Sequence, residues 1–329
     1  MACPSEARGK KPAKAGFFVS GDDLLRTRIY IDGYNLYYGC LKRTHLKWLD
    51  QLALFEKGIL PSVTAVVDGH ALASEIQPVG IKFFTAPILE QAAKASDSIQ
   101  CQEQYHAALS KHQPGRVETI KGYYSLTEAR AKVIDPFDRK KWPRDCQSAD
   151  IWKLEEKQTD VNLALHAVKD ALVGDIEHIV IVTNDTDIAP ALEMIRAHTK
   201  AVIGLVIPTT DHERVPNADL VKYAHWVRTH ITEAELKAAQ LPRVIAGGRR
   251  PVSKPDSWFA RPDLLQRALE LGAAELGSRS KVFQWLRKPN FHYGGRTPLD
   301  LLESTDGEQV IQFMEAWTTS NSGGLSNLP

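Results

Sequence analysis

Two short apolar runs, HIVIVT at 178–183 and AVIGLVIP at 201–208, flank a segment of helical spacing, DIAPALEMIRAHT at 187–199. Runs of this length, rich in β-branched residues, suit strands buried on both faces. Strand, helix and strand in that order make a crossover unit, which lays the two strands parallel in one sheet. Pro190 falls near the first turn of the helix, where its missing N–H is no loss. RIYID at 28–32, broken at Gly33, IKFFTA at 81–86, closed by Pro87, and VETIKGYY at 117–124 supply further strands. The alternation predicts an α/β domain, a parallel sheet flanked by helices.

Between the last two groups of strands, TDVNLALHAVKDAL at 159–172 sets Val161, Leu165, Val168 and Leu172 at steps of four, three and four, which marks one face of a helix. Residues 125–156 have weak periodicity, and the RKKWPR cluster at 139–144 reads as an exposed loop. AAQLPRVIAGGRRPVSKP, around 238–256, collects prolines, glycines and basic residues and reads as a linker. Beyond it, segments 261–276, 279–288, 298–304 and 307–317 predict four short helices packed on Leu264, Leu265, Leu269, Val282, Trp285, Leu286, Leu299, Leu302, Val310 and Phe313. The expected organisation is a tail at 1–23, an α/β domain at 24–237, a linker at 238–256, a small all-α domain at 257–320 and a tail at 321–329.

Composition narrows the partners. No apolar run approaches the ~20 residues that span a bilayer, so a membrane role is not expected. Cys3, Cys40, Cys101 and Cys146 form no pair at zinc or redox spacing, which suits a reducing cytoplasm. A net charge of +1 argues against coating nucleic acid by overall charge, while leaving room for a local basic surface.

Acidic residues collect where ligands of open α/β sheets gather, beyond the carboxyl ends of the strands. Asp32 ends RIYID, Asp185 and Asp187 follow HIVIVTN, and Asp160 opens a helix. Carboxylates that meet in a partly dry site repel one another, and a hard divalent cation relieves the repulsion. An all-oxygen donor set suits Mg2+ or Mn2+, and the matching chemistry is phosphodiester hydrolysis. Each aspartate alone would equally serve as a turn or helix cap.

The strings IYIDGYNLYYG from Ile29 to Gly39, EEKQTDVNLALHAV at 155–168 and IVTNDTDIAPALEMIR at 181–196 resemble, in order and spacing, the NYN family of PIN-like nucleases over about 28–230. The resemblance implies a PIN-like fold, RNA as substrate, and metal-binding catalytic acids at Asp32, Asp160, Asp185 and Asp187, with Asn35 orienting water or substrate. Thr186 and Ile188 stand where relatives often have Ser and Phe or Leu, which removes no acid. WLRKPNFHYGGRTPLDLLESTDGEQVIQFME at 285–315 resembles the toxin-binding domain of MbcA/ParS/Xre-type antitoxins over roughly 257–318. That domain implies a protein partner or self-association, and a link to a toxin–antitoxin system.

Lys140, Lys141, Trp142 and Arg144 pair charge with an aromatic ring, as proteins that grip single strands do, and are expected to bind substrate; a solvated loop is the competing reading. Tyr34, Tyr37 and Tyr38 could touch a base or pack in the core. His166, His178 and His198 have no Ser or Cys partner motif, so a nucleophile triad is not expected. Two functions follow: a cytoplasmic Mg2+- or Mn2+-dependent endoribonuclease with a helical partner-binding module, or a non-cleaving regulator that binds RNA or protein through that module.

Overall fold

Strand β1 (Leu24–Asp32) runs through the centre of a seven-stranded sheet, and its alternating side chains found two cores. Ile29 and Ile31 face a core with Trp48, Leu54, Phe55, Val180 and Val182, while Tyr30 faces Phe84, Leu163, Ile179, Ile181 and Leu205. This computed structural model describes residues 24–67, 69–247 and 250–320; the tails expected at 1–23 and 321–329 lie outside them. β2 (Ala65–Val67), β3 (His70–Thr85) and β4 (Val117–Lys121) follow β1. A ribbon of β5 (Tyr123–Lys132) and β6 (Ser148–Lys157) comes next, then β7 (His178–Val182), β8 (Val202–Val206) and β9 (Trp226–Arg228). Their order is β2-β3-β1-β7-β8-β9, with β4 also on β3. Every pairing is parallel except β2 on β3, so the predicted parallel sheet flanked by helices is present. The β1–β3 register slips between Thr27 and Ile29, where β3 carries Pro78, which has no N–H to give the ladder.

The helix expected at 159–172 forms at Thr159–Val173, but it is turned the other way round. Leu163, Ala167, Asp170 and Ala171 are buried against the sheet, whereas Val161, Leu165 and Leu172 are exposed. The reason is ionic. Asp170 Oδ2 receives Arg28 Nη1, Lys82 Nζ and the Tyr30 hydroxyl, each at 2.7 Å, from the two strands beneath. A buried charge with three donors in place outweighs the gain from turning the leucines inward.

Residues 125–156, where the sequence offered little beyond a loop, form the β5–β6 ribbon, paired from Tyr123 with Lys157 to Lys132 with Ser148. The ribbon is solvated on both faces, which removes the period-two hydrophobic alternation that reveals a half-buried strand. Its connection, including the RKKWPR cluster, is exposed as expected.

The 238–256 segment is packed rather than open: Leu241 and Ile245 join the core of the α/β body, and Val244–Ile245 pairs with Val252–Ser253. Helices Pro262–Leu276, Arg279–Leu286, Pro298–Leu302 and Glu308–Ser320 then form a small bundle around Leu264, Leu265, Leu269, Val282, Leu286, Leu299, Leu302 and Val310. Trp285 and Phe313, expected in that core, lie half-buried at its margin with their rings stacked 6.3 Å apart. The bundle is tied to the body by Arg243 on Asp300 at 2.8 Å, by Arg243 on Glu303, and by Lys254 on Glu303 at 3.3 Å. Trp258 adds ring contacts with Trp48 and Tyr105. No helix among the described residues is long and apolar enough to cross a membrane.

Candidate active site

The parallel pairing of β1 with β7 matches Ile31 with Val182, so the next residues, Asp32 and Thr183, emerge side by side at the carboxyl edge of the sheet. Thr183 Oγ1 donates to Asp32 Oδ2 at 2.8 Å and accepts from the Asp185 amide at 3.1 Å. One hydroxyl therefore links the first acid to the loop bearing the third. Asp32 also caps the helical turn that begins at Gly33: its Oδ1 accepts from the Asn35 amide at 2.9 Å, and its Oδ2 from the Asn35 side chain. Gly33 cannot carry a side chain there, because a Cβ would stand 2.6 Å from the Phe84 carbonyl oxygen.

Asp185 in turn caps the short turn Thr186–Ile188, accepting from the Asp187 amide at 3.0 Å, while Asp187 itself is exposed. The capping expected of aspartates in these places is thus real. It coexists with clustering, because caps at the carboxyl ends of adjacent parallel strands face the same rim.

Asp160 arrives from the ribbon. β6 ends at Lys157, Gln158 takes a left-handed conformation with φ of 72°, and the helix starts at Thr159 with Asp160 in its first turn. Gly122, where β4 hands over to β5, lets the two chains approach; a Cβ there would lie 2.4 Å from the Lys157 carbonyl oxygen. Asp160 is half-buried, and burial, then Asp32, Asp185, Glu156 and Asp187, push its carboxyl up to about 7. Burial likewise raises Asp32, against the hydrogen bonds from Asn35 and Thr183, with Glu156 adding to the rise. Asp32, Asp185, Glu156 and Asp187 thus all bear on Asp160, and Glu156 bears on Asp32 as well.

The sequence reading did not single out Glu156. In the β5–β6 ladder it pairs with Tyr124, whose hydroxyl donates to Glu156 Oε2 at 3.2 Å. Its Oε1 is buried and has no hydrogen-bond partner among the described residues. The available signal was its place in the EEKQTD string, four residues before Asp160. Thr183, also unnoticed, ends an apolar run in which a buried hydroxyl looks like any strand residue.

Beside the acids lies an aromatic wall. Tyr34 and Tyr38 stack at 4.3 Å, Tyr37 meets Tyr38 edge-on at 5.3 Å, and Lys42 Nζ sits 4.3 Å over the Tyr38 ring. All three tyrosines are exposed, so the alternative of core packing is set aside. Burial, then Tyr38, Glu156 and Asp32, raises the Tyr34 hydroxyl above its ordinary range.

Lys140, Lys141, Trp142 and Arg144 are not brought to the acids. They occupy the far end of the ribbon, ten residue pairs from its base, a separation of about 30 Å at the usual rise per residue. There Lys141 pairs with Asp135 at 3.0 Å, and the Arg144 guanidinium lies 5.7 Å from the Trp142 ring centre. His166 touches Lys82 Nζ, and His178 is fully buried under Trp226 with its Nδ1 on the Thr27 and Ser74 hydroxyls at 3.1 Å, away from the acids.

The donor set at the rim, carboxylate oxygens without sulfur or imidazole, fits a hard divalent cation in chemistry. Among the described residues, no three Asp, Glu, His or Cys side chains stand close enough as they are to hold a metal ion. Holding one would require side-chain rotation of the half-buried and exposed acids, Asp160, Asp185 and Asp187, toward the fixed Asp32.

Comparison with known proteins identifies two families along the chain. The profile of the NYN domain matches residues 26–225, and that of the antitoxin Xre/MbcA/ParS C-terminal toxin-binding domain matches 272–317. A curated relative, 6-hydroxy-3-succinoylpyridine 3-monooxygenase HspA from Pseudomonas putida, is 51% identical over 297 residues, covering 89% of this chain and 95% of the relative. A crystal structure of a protein of unknown function from Vibrio parahaemolyticus aligns with a TM-score of 0.34 and 15% identity, covering 65% of this chain and 98% of that one.

Proposed function

Since this chain belongs to the NYN family, we propose that it is a Mg2+- or Mn2+-dependent ribonuclease that hydrolyses RNA phosphodiesters at the Asp32, Asp160, Asp185 and Asp187 rim. The observation that carries the reading is the shared carboxyl edge of the sheet, where Thr183 joins Asp32 to the Asp185 loop and where burial, then Asp32, Asp185, Glu156 and Asp187, push the Asp160 carboxyl up to about 7. An acid raised by its acidic neighbours at such an edge points to a cation as their partner.

When bound, the cation supplies charge stabilisation for a phosphate under in-line attack and a water of lowered pKa. The chain's own groups do the rest. Thr183 and Asn35 hold Asp32 in one orientation, so a ligand meets a fixed carboxylate rather than a mobile one. Asp160 and Asp185 approach from separate elements, and Asp187, being exposed, is free to move or bind water. The Tyr34–Tyr38 stack offers an unpaired base a flat surface within two residues of Asp32. The basic ribbon tip around Lys140, Lys141, Trp142 and Arg144 would hold RNA backbone remote from the cut. The C-terminal bundle, related to antitoxin toxin-binding domains, is the module for a protein partner.

A second reading is favoured by one observation, the 51% identity to a protein named as a hydroxypyridine monooxygenase. Under it the tyrosine wall would stack a pyridine ring instead of a base, and the reaction would consume dioxygen and an external reductant.

The deciding experiment uses the purified full-length chain. End-labelled single-stranded RNAs are incubated with Mg2+ or Mn2+, with and without EDTA, and 6-hydroxy-3-succinoylpyridine is incubated in parallel with a reduced nicotinamide while oxygen uptake is recorded. Metal-dependent RNA cleavage that is abolished in Asp32→Asn and Asp185→Asn supports the nuclease. Cleavage unchanged in both variants defeats it, and oxygen-coupled loss of the pyridine without RNA cleavage establishes the second reading in its place.

A further inference from the structure

The antiparallel ladder of Val244–Ile245 with Val252–Ser253 sets Arg243 and Lys254 opposite each other at its end, the Lys254 amide donating to the Arg243 carbonyl at 2.8 Å. Like charges directly across a ladder repel. Here they do so away from water: Lys254 is 8% exposed, and its ammonium lies 4.7 Å over the Phe259 ring. One carboxylate, Glu303, serves both cations, and Arg243 has the closer hold, leaving Lys254 at 3.3 Å with no other acidic partner among the described residues. Burial accordingly keeps the Lys254 ammonium below its ordinary range in spite of Glu303, with Arg243 lowering it further. A buried charge that is only partly matched is costly to keep. The tie between body and bundle does not require it, since Arg243 alone reaches both Asp300 and Glu303.

The two cations open onto a cleft of about 630 Å3 between the α/β body and the C-terminal bundle, a volume in the ordinary range of small-molecule sites. Leu46, Trp48 and Leu241 give it apolar walls. Its charged lining is Lys237, Arg243, Lys254 and Arg287 against the single carboxylate of Glu303, with His45 beside them. The remaining acids are outside the lining: the Asp300 side chain, on Arg243, is 47% exposed and that of Glu233, on Lys237, 63%. Water and salt screen charges so placed. Arg287 has no carboxylate partner among the described residues, and its Nε donates to the Phe283 carbonyl at 3.2 Å. His45 reports the sign of the local field: burial and then Lys254 hold its imidazole below its ordinary range, against Glu303. The lining therefore carries an excess of positive charge, part of it desolvated, and a bound anion is its complement.

We propose that the cleft between the α/β body and the bundle binds a small organic anion, its carboxylate or phosphate group received by Lys254 and Arg287 and its apolar part covered by Leu46, Trp48 and Leu241. The site shares no residue with the acid rim and does not rest on the ribonuclease reading. Lys254 belongs to the segment that joins the two modules and Arg287 to the bundle, so a ligand held by both binds only while the bundle is docked. Binding then strengthens the docking.

Titration calorimetry of the full-length chain tests this, with citrate and inorganic pyrophosphate as probes in a chloride-matched buffer free of divalent cations. The expected result is a Kd of about 1 mM or tighter for at least one probe, with a rise in thermal midpoint as that probe saturates. Binding of citrate alone assigns the site to carboxylates, and of pyrophosphate alone to phosphates. Lys254→Met keeps an unbranched chain against Phe259 and leaves Glu303 paired with Arg243, and Arg287→Gln changes an exposed side chain. Both variants are expected to keep the thermal transition of the probe-free parent, and each to weaken the probe about 10-fold. Absence of binding by either probe up to about 20 mM overturns the proposal. So does binding that either substitution leaves unchanged, because the anion would then sit elsewhere.

Discussion

Lys82 Nζ lies 2.7 Å from Asp170 Oδ2, joining the middle of the sheet to the inner face of the helix that carries Asp160. This contact, with those of Arg28 and Tyr30, does two things at once. It sets the rotation of the helix, hence the direction from which Asp160 reaches the rim, and it turns the Val161–Leu172 stripe to the outside.

Removing one member of a buried charged network strands the others. Asp170→Ala is expected to lower unfolding stability by roughly 3–5 kcal/mol, read from urea or guanidinium denaturation. The pH dependence has a definite sign. Burial alone would raise the Asp170 carboxyl, but hydrogen bonds from Lys82, Tyr30 and Arg28 outweigh it and hold it below its ordinary value. A carboxyl lowered by folding contributes stability above its unfolded pKa of about 3.9 and loses it as pH falls through the lower folded value. Asp170→Asn should therefore flatten the acid limb below about pH 4; an unchanged acid limb would show that the network does not titrate with folding.

His178 acts in the same sense over a higher pH range. Burial, and secondarily His225, push its imidazole down to about 3. Its Nε2 accepts from Trp226 Nε1 at 3.0 Å, which leaves Nδ1 to donate toward Thr27 or Ser74 at 3.1 Å. The folded chain keeps this ring neutral while the unfolded chain protonates it below about pH 6.5, so stability declines by about 1.4 kcal/mol per pH unit as pH falls from there toward 3. Thermal melts of the parent and His178→Gln at pH 8, 6 and 5 check the slope, which should be shallower in the variant.

Glu156 adds negative charge to the rim without being one of the strand-end acids. Glu156→Gln is expected to weaken Mn2+ binding by roughly 10-fold, in the range of residues that act around metal ligands, and to leave the denaturation midpoint nearly unchanged. Titration calorimetry with Mn2+ measures both affinity and stoichiometry. Undiminished affinity would place Glu156 outside the cation's reach.

At the ribbon tip, replacing Lys140, Lys141 and Arg144 together by alanine should weaken binding of single-stranded RNA and reduce the slope of log affinity against log salt by about 2 if three phosphates are contacted. The rate of cleavage at saturating RNA should not change, because the tip is remote from the acids. Fluorescence anisotropy at several salt concentrations is the measurement, and an identical slope in the variant removes the tip from the binding surface.

Much of the fold was legible in short words of sequence. HIVIVT and AVIGLVIP read as central strands because residues buried on both faces must be apolar at every position. The bundle was readable from helical spacing and capping, as at Thr297 and Pro298, where the hydroxyl accepts from the Asp300 amide. The β5–β6 ribbon was not, since a strand wet on both faces has no hydrophobic period. The stripe on Thr159–Val173 was seen as an amphipathic face, but its direction was hidden: spacing tells that a helix has two sides and not which one faces the sheet.

For the site, the chain order alone determined which acids end strands or open helices, because those positions depend on local pattern and capping chemistry. That Asp32, Asp185 and Glu156 bear on Asp160, and that Thr183 links Asp32 to the Asp185 loop, was decided by the parallel register of β1 with β7 and by the turn from the ribbon into the helix. Contacts between residues some 150 positions apart, such as Asp32 with Thr183, are set by which strands pair and in what register, and hydrogen-bond ladders and core packing settle that only once the whole sheet has formed.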